Sequence, residues 1–222
     1  MYKNCLFSIL ILVLGSSSSL FAQNIMDFFI GVPDSSVLTL SRIERTKIVS
    51  LSKNNRTVKD ATAIIKKHGL NYTFESVDVK NGYLKLIGAM EGHLEMCYWN
   101  LQSGKKLVGV YHESCGPGCF TETLNFYLFS AGKYTSVPFE KIFPDLYEKI
   151  LWVHQKDDFY MAYQTDFKES MTMKLPQKGK NIVVKWGSDE FLAENRQKMK
   201  GNQANLLWRD GKFLTGEIYW AK

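Results

Sequence analysis

Four residues far apart in the sequence invite a chemical reading when neighbouring strands are laid against one another. Glu75, Glu95, His112 and Glu122 fall into one cross-strand row if each hairpin closes symmetrically about its turn dipeptide. Carboxylates flanking an imidazole could hold a divalent cation, or raise a carboxyl pKa for acid-base work, with Glu95, His112 and Glu122 at the centre. The competing reading is the rim of a core face, where charged side chains meet water. It carries more weight, because no other Asp or His spacing echoes a metal signature. The remaining histidines, His68, His93 and His154, stand alone and read as cap, surface or satisfied core residues.

Cysteine supplies the second candidate. Cys115 and Cys119 flank Gly116-Pro117-Gly118 and face each other across a hairpin, a separation that suits a disulfide. A redox pair would instead need a two-residue spacing at a helix N-terminus, so a structural staple is expected. Cys97 is then left as a buried free thiol.

The elements that must position these groups follow from periodicity. Residues 24–68 carry helical spacing, with one helix after the Pro33-Asp34-Ser35 turn and another over 58–68 that stops at Gly69. From Leu70 to Val137 the pattern changes to period two, with turns at Asn81-Gly82, Glu91-Gly92, Ser103-Gly104, Gly116-Pro117-Gly118 and Ala131-Gly132. This is an antiparallel meander. Its symmetric registers place Val79, Leu84, Trp99, Val108, Phe126 and Val137 in one apolar row, and Val77, Leu86, Cys97, Val110 and Leu124 in the next. The opposite face, with Lys85, Met96, Tyr98, Tyr111 and Asn125, is mixed and expected to be only partly covered. Strands near 169–175 and 181–186, a helix over 188–200 and a hairpin at Asp210-Gly211 complete an α+β domain spanning 23–222, in which N-terminal helices pack on the meander.

Residues 1–22 read as a secretory signal peptide: Lys3, an apolar run from Leu6 to Leu14, then small residues up to Ala22. The run is too short to span a bilayer, and a secreted or periplasmic product is expected. The chain of 222 residues has 45% hydrophobic and 23% charged residues and a net charge of +6, which excludes disorder and suits a globular fold. The lysines are scattered without a nucleic-acid module, so no nucleic-acid partner is expected.

The signal ending at Ala22-Gln23, Phe28, Val32-Pro33-Asp34-Ser35, Lys106-Leu107-Val108-Gly109-Val110, Cys115-Gly116-Pro117 and Phe126-Tyr127 together resemble secreted proteins of unknown function from Bacteroidetes. The resemblance implies an exported protein and carries no catalytic residue across. With no nucleophile beside a base and no oxyanion-stabilising motif, the expectation is a non-enzymatic binding or interaction module for a cell-envelope ligand or protein, without a resident cofactor. The alternative is a metal-dependent or acid-base hydrolase centred on Glu95, His112 and Glu122.

Overall fold

A computed structural model describes residues 23–37, 40–54, 65–67, 70–88, 92–115, 119–146, 149, 171–186, 192–193 and 196–221. The expected signal peptide lies outside them, as do residues 188–191 and 194–195 of the expected 188–200 helix, whose described part holds a turn of 3-10 helix at Arg196–Lys198 in place of a continuous α-helix through 200.

The chain opens with helix α1 (Ile25–Gly31), whose first turn is fixed by a reciprocal cap between Asn24 and Asp27. After a short turn of 3-10 helix at Asp34–Ser36, α2 (Arg42–Asn54) starts where Glu44 accepts from the backbone N–H and hydroxyl of Ser41. Arg45, Ile48, Val49 and Ser52 form its buried stripe, at the spacing of one helical face.

Seven strands follow in chain order and pair antiparallel with their sequence neighbours: β1 (Ile65–Lys67), β2 (Leu70–Asp78), β3 (Tyr83–Ile87), β4 (His93–Asn100), β5 (Lys106–Cys115), β6 (Cys119–Ser130) and β7 (Lys133–Val137). A short helix α3 (Phe139–Ile142) leads on to a second antiparallel sheet of β8 (Thr172–Lys174), β9 (Ile182–Lys185), β10 (Gln203–Arg209) and β11 (Lys212–Tyr219). The α+β class and the meander are as the sequence implies. The end of the expected 58–68 helix is not helical: Ile65–Lys67 is a strand paired with Leu70–Tyr72, because pairing along a sheet edge outweighs a weak local helical pattern; residues 58–64 and 68 lie outside the described residues.

The registers correct the sequence reading more deeply. The β3–β4 pairing is Leu84↔Met96 and the β4–β5 pairing is Trp99↔Leu107, so Trp99 and Leu84 point to opposite faces. Val108 pairs with Tyr98 and Tyr127, not with Trp99 and Phe126. Nor is the second face partly covered. One face packs Leu84, Leu86, Leu94, Met96, Val108, Val110 and Tyr127 against α1 and α2, while the other packs Tyr83, Cys97, Trp99, Leu107, Tyr111 and Phe126 against the second sheet. The central sheet is therefore the middle of three layers.

Each interface has an anchor. On the helix side Arg45 is fully buried, and its guanidinium donates to the carbonyls of Leu40 (2.7 Å), Ile30 (3.1 Å) and Val32 (2.7 Å) and pairs with Asp34 at 2.9 Å. Between the sheets Trp99 stacks on Trp208 (centroids 5.6 Å apart), meets Phe213 edge-on (5.1 Å) and donates its indole N–H to the Lys180 carbonyl at 2.8 Å. Gly109 lies under these rings; a Cβ there would stand 3.0 Å from Trp99 and 3.1 Å from Phe126.

Candidate ligand recess at the junction of the two sheets

The face of the central sheet that meets the second sheet carries two polar rows. Lys85, Glu95 and Tyr111 are directly opposed in one, and Ile87, His93 and Glu113 in the next. Alternation puts His93 and Glu95 on the same side of β4. The imidazole lies between two carboxylates, its Nδ1 3.3 Å from Glu113 and its Nε2 3.6 Å from Glu95. Tyr111 meets the His93 ring at 5.9 Å and donates its hydroxyl to Glu113 at 2.9 Å.

The same side chains hold the second sheet. Glu95 is buried and accepts the backbone N–H of Leu175 at 2.8 Å. Tyr111 hydrogen-bonds the Met173 backbone and Thr121 donates to the Met171 carbonyl. Side chains of the meander thus take the alternate backbone groups of β8 and its flanks that β9 does not use. The Tyr83 hydroxyl also donates to Glu95; burial, then that carboxylate, raises the Tyr83 pKa. Burial raises those of Tyr111 and Cys97 as well, with the Glu95 charge adding to the effect on Cys97. All three groups stay protonated at neutral pH, so the hydroxyls remain donors.

A recess of about 440 Å³ opens at this junction, within the range of small-ligand sites. Lys85, His93, Glu95 and Glu113 line it from the central sheet, and Thr172, Met173, Lys174, Val183, Lys185 and Gln203 from the second. Thr172 is the one hydroxyl among these lining residues, and no cysteine is among them.

The residues singled out in the sequence are not assembled. Glu95 lines the recess, whereas His112 pairs with Leu94 and points to the helix side, where it is buried beside Val37, Tyr72 and Leu86. Glu122 is the extra residue of a β-bulge, since His112 pairs with Thr123 and Glu113 with Thr121. Glu75 reaches across to Lys85 at 2.8 Å. A carboxylate-imidazole-carboxylate group does exist, but its members are Glu95, His93 and Glu113, and His93, read as a lone histidine, is its centre. The available signal was the alternation His93-x-Glu95 against Tyr111-x-Glu113, hidden by the misplaced registers. The two ring nitrogens face different carboxylates and so do not converge on one point. Among the described residues no three His, Cys, Asp or Glu side chains are placed to hold a metal ion. Cys115 and Cys119 pair directly across β5 and β6, and Cys97 is a buried free thiol.

A family model described as a protein of unknown function, DUF3256, matches residues 17–213 of the chain. The chain belongs to the DUF3256 family. No curated protein matches this DUF3256 chain. Its fold is similar to a solved domain of an uncharacterized protein from Porphyromonas gingivalis W83, with a TM-score of 0.61 and 14% identity over 86% of this chain and 97% of that one. At that identity the likeness shows a shared fold. Among the described residues of the DUF3256 chain no helix is long and apolar enough to cross a membrane.

Proposed function

We propose that the protein is an exported, non-enzymatic binding module that holds a cell-envelope ligand in the recess between its sheets. The supporting observation is how the recess carboxylates are used. Glu95 is engaged by the Leu175 N–H and the Tyr83 hydroxyl, and Glu113 by the Tyr111 hydroxyl. Groups held so closely by their own fold are poor general acids or bases for a substrate, which must come within direct hydrogen-bonding distance of a catalytic group. They shape a pocket instead. Export rests on the leader-like segment of residues 1–22, and an oxidising compartment would let Cys115 and Cys119 close as a bridge.

Two measurements test the reading. Cell fractionation with N-terminal sequencing of the recovered protein should find it outside the cytoplasm and shortened near Ala22; a cytoplasmic, full-length product overturns export. Titration with soluble peptidoglycan fragments, followed by methyl NMR, should shift Met173 while leaving the fragments chemically intact. Hydrolysis of the fragments would replace the binding reading with an enzymatic one, and unmoved Met173 signals would remove the envelope ligand.

A further inference from the structure

Within the recess, the charges differ in whether they are already matched. Both carboxylates are engaged by the fold, and Lys85 is held by Glu75 at 2.8 Å. Lys174 and Lys185 are exposed, and among the described residues neither has a carboxylate within ion-pairing distance. Their positions set them against each other. Lys174 pairs with Val183 and Lys185 with Thr172, so the lysines are diagonal neighbours on one face of adjacent strands, about 7–8 Å apart at the backbone. Two like charges at that spacing repel, and an anion between them would relieve it. Beside them stand the Thr172 hydroxyl and Gln203, whose amide N–H₂ donates to the Tyr219 hydroxyl at 2.6 Å and leaves its carbonyl as an acceptor.

We infer that the recess is an anion subsite in which Lys174 and Lys185 take a phosphate or carboxylate group of a small hydroxylated ligand. This rests on the binding reading above and names the ligand class. The ammonium groups donate to the oxyanion, while the hydroxyls of the ligand donate to the Gln203 carbonyl and accept from Thr172. A cationic ligand fits worse, because Glu95 and Glu113 are already engaged and the unmatched groups are positive.

The test is calorimetric titration of the full chain with glucose 6-phosphate, glucuronate and glucose, for the wild type, the Lys174→Gln/Lys185→Gln variant and a charge-matched Lys133→Gln/Lys212→Gln control. Circular dichroism checks that each variant is folded. The expected result is saturable binding of glucose 6-phosphate or glucuronate, the stronger of the two identifying a phosphate or a carboxylate ligand. Affinity should fall on the order of tenfold or more in the recess variant and stay unchanged in the control. An equal loss in both variants reduces the effect to net charge and overturns the subsite. So does glucose binding that neither variant alters, although the binding reading would then survive. Absence of saturable binding by either anion also overturns the inference, and the peptidoglycan titration then decides the wider reading separately.

Discussion

Glu95 accepts the backbone N–H of Leu175 at 2.8 Å across 80 residues of sequence, so a carboxylate suggestive of catalysis acts as a joint between two sheets. Burial makes that joint strong, since the acceptor and the donating residue are both shielded from water.

Replacing Glu95 with Ala should therefore cost about 1–3 kcal/mol, the penalty of leaving a buried donor unpaired. Glu95→Gln should cost less, because the amide oxygen still accepts. Urea unfolding of the two variants provides the comparison, and an Ala variant as stable as wild type would show that the joint is dispensable.

On the helix side, Arg45→Ala should be among the most destabilising single changes, at about 3–5 kcal/mol. Burial lowers the Arg45 pKa while Asp34 counters it; truncation strands the three carbonyls, whereas the largely exposed Asp34 turns to water. Thermal melts should show a large drop in Tm. A change below 1 °C would mean that water reaches those carbonyls.

Trp99→Ala should cost about 3–5 kcal/mol through the cavity it leaves between Trp208 and Phe213. Gly109→Ala should cost about 1–3 kcal/mol for the opposite reason, overpacking against Trp99 and Phe126. Calorimetry distinguishes them from neutral changes, and a stabilised Gly109→Ala would contradict the tight ring packing over β5.

Stability should fall in alkali. Tyr83, Tyr111 and Cys97 have raised native pKa values, whereas in the unfolded chain such groups release protons from about 8.5 to 10. The native state then binds more protons than the unfolded one, so the stabilisation is complete below that window and declines progressively as pH rises from it towards the raised native values. Denaturation at pH 7 and pH 10.5 should show the decline, and Tyr83→Phe should flatten it. A variant with an undiminished slope would place the alkaline loss elsewhere.

The cysteines should react unequally. Cys97 should resist alkylation until the chain unfolds, as its thiolate is disfavoured by burial and by Glu95. Non-reducing mass spectrometry of exported protein should find one free thiol, with Cys115 linked to Cys119. Three free thiols would exclude the bridge, and a bridge to Cys97 would contradict the strand pairing.

The sequence reading succeeded where turns were short. Ala131-Gly132 and Asp210-Gly211 both have positive φ, and their strands pair as expected from Ser130↔Lys133 and Arg209↔Lys212. It failed at the longer connections. Four residues separate Asp78 from Tyr83, and five separate both Ile87 from His93 and Asn100 from Lys106; a symmetric two-residue turn misplaces each register. The bulge at Glu122 hid a further shift. The apolar rows gave no warning, because a sheet covered on both faces presents apolar residues in almost any register. The site was lost with the registers: one residue of slip exchanges His112 for His93.

The contacts of Thr121, Tyr111 and Glu95 with the backbone around β8 have a consequence for association between molecules. An outer strand normally displays a row of vacant N–H and C=O groups on which another chain can grow, the first step towards domain swapping or fibrils. At β8 that row is occupied from within the same molecule. The side chains that fasten the second sheet therefore also keep this end of it from templating a neighbour, and loosening them exposes a strand to aggregation before the rest of the fold has opened.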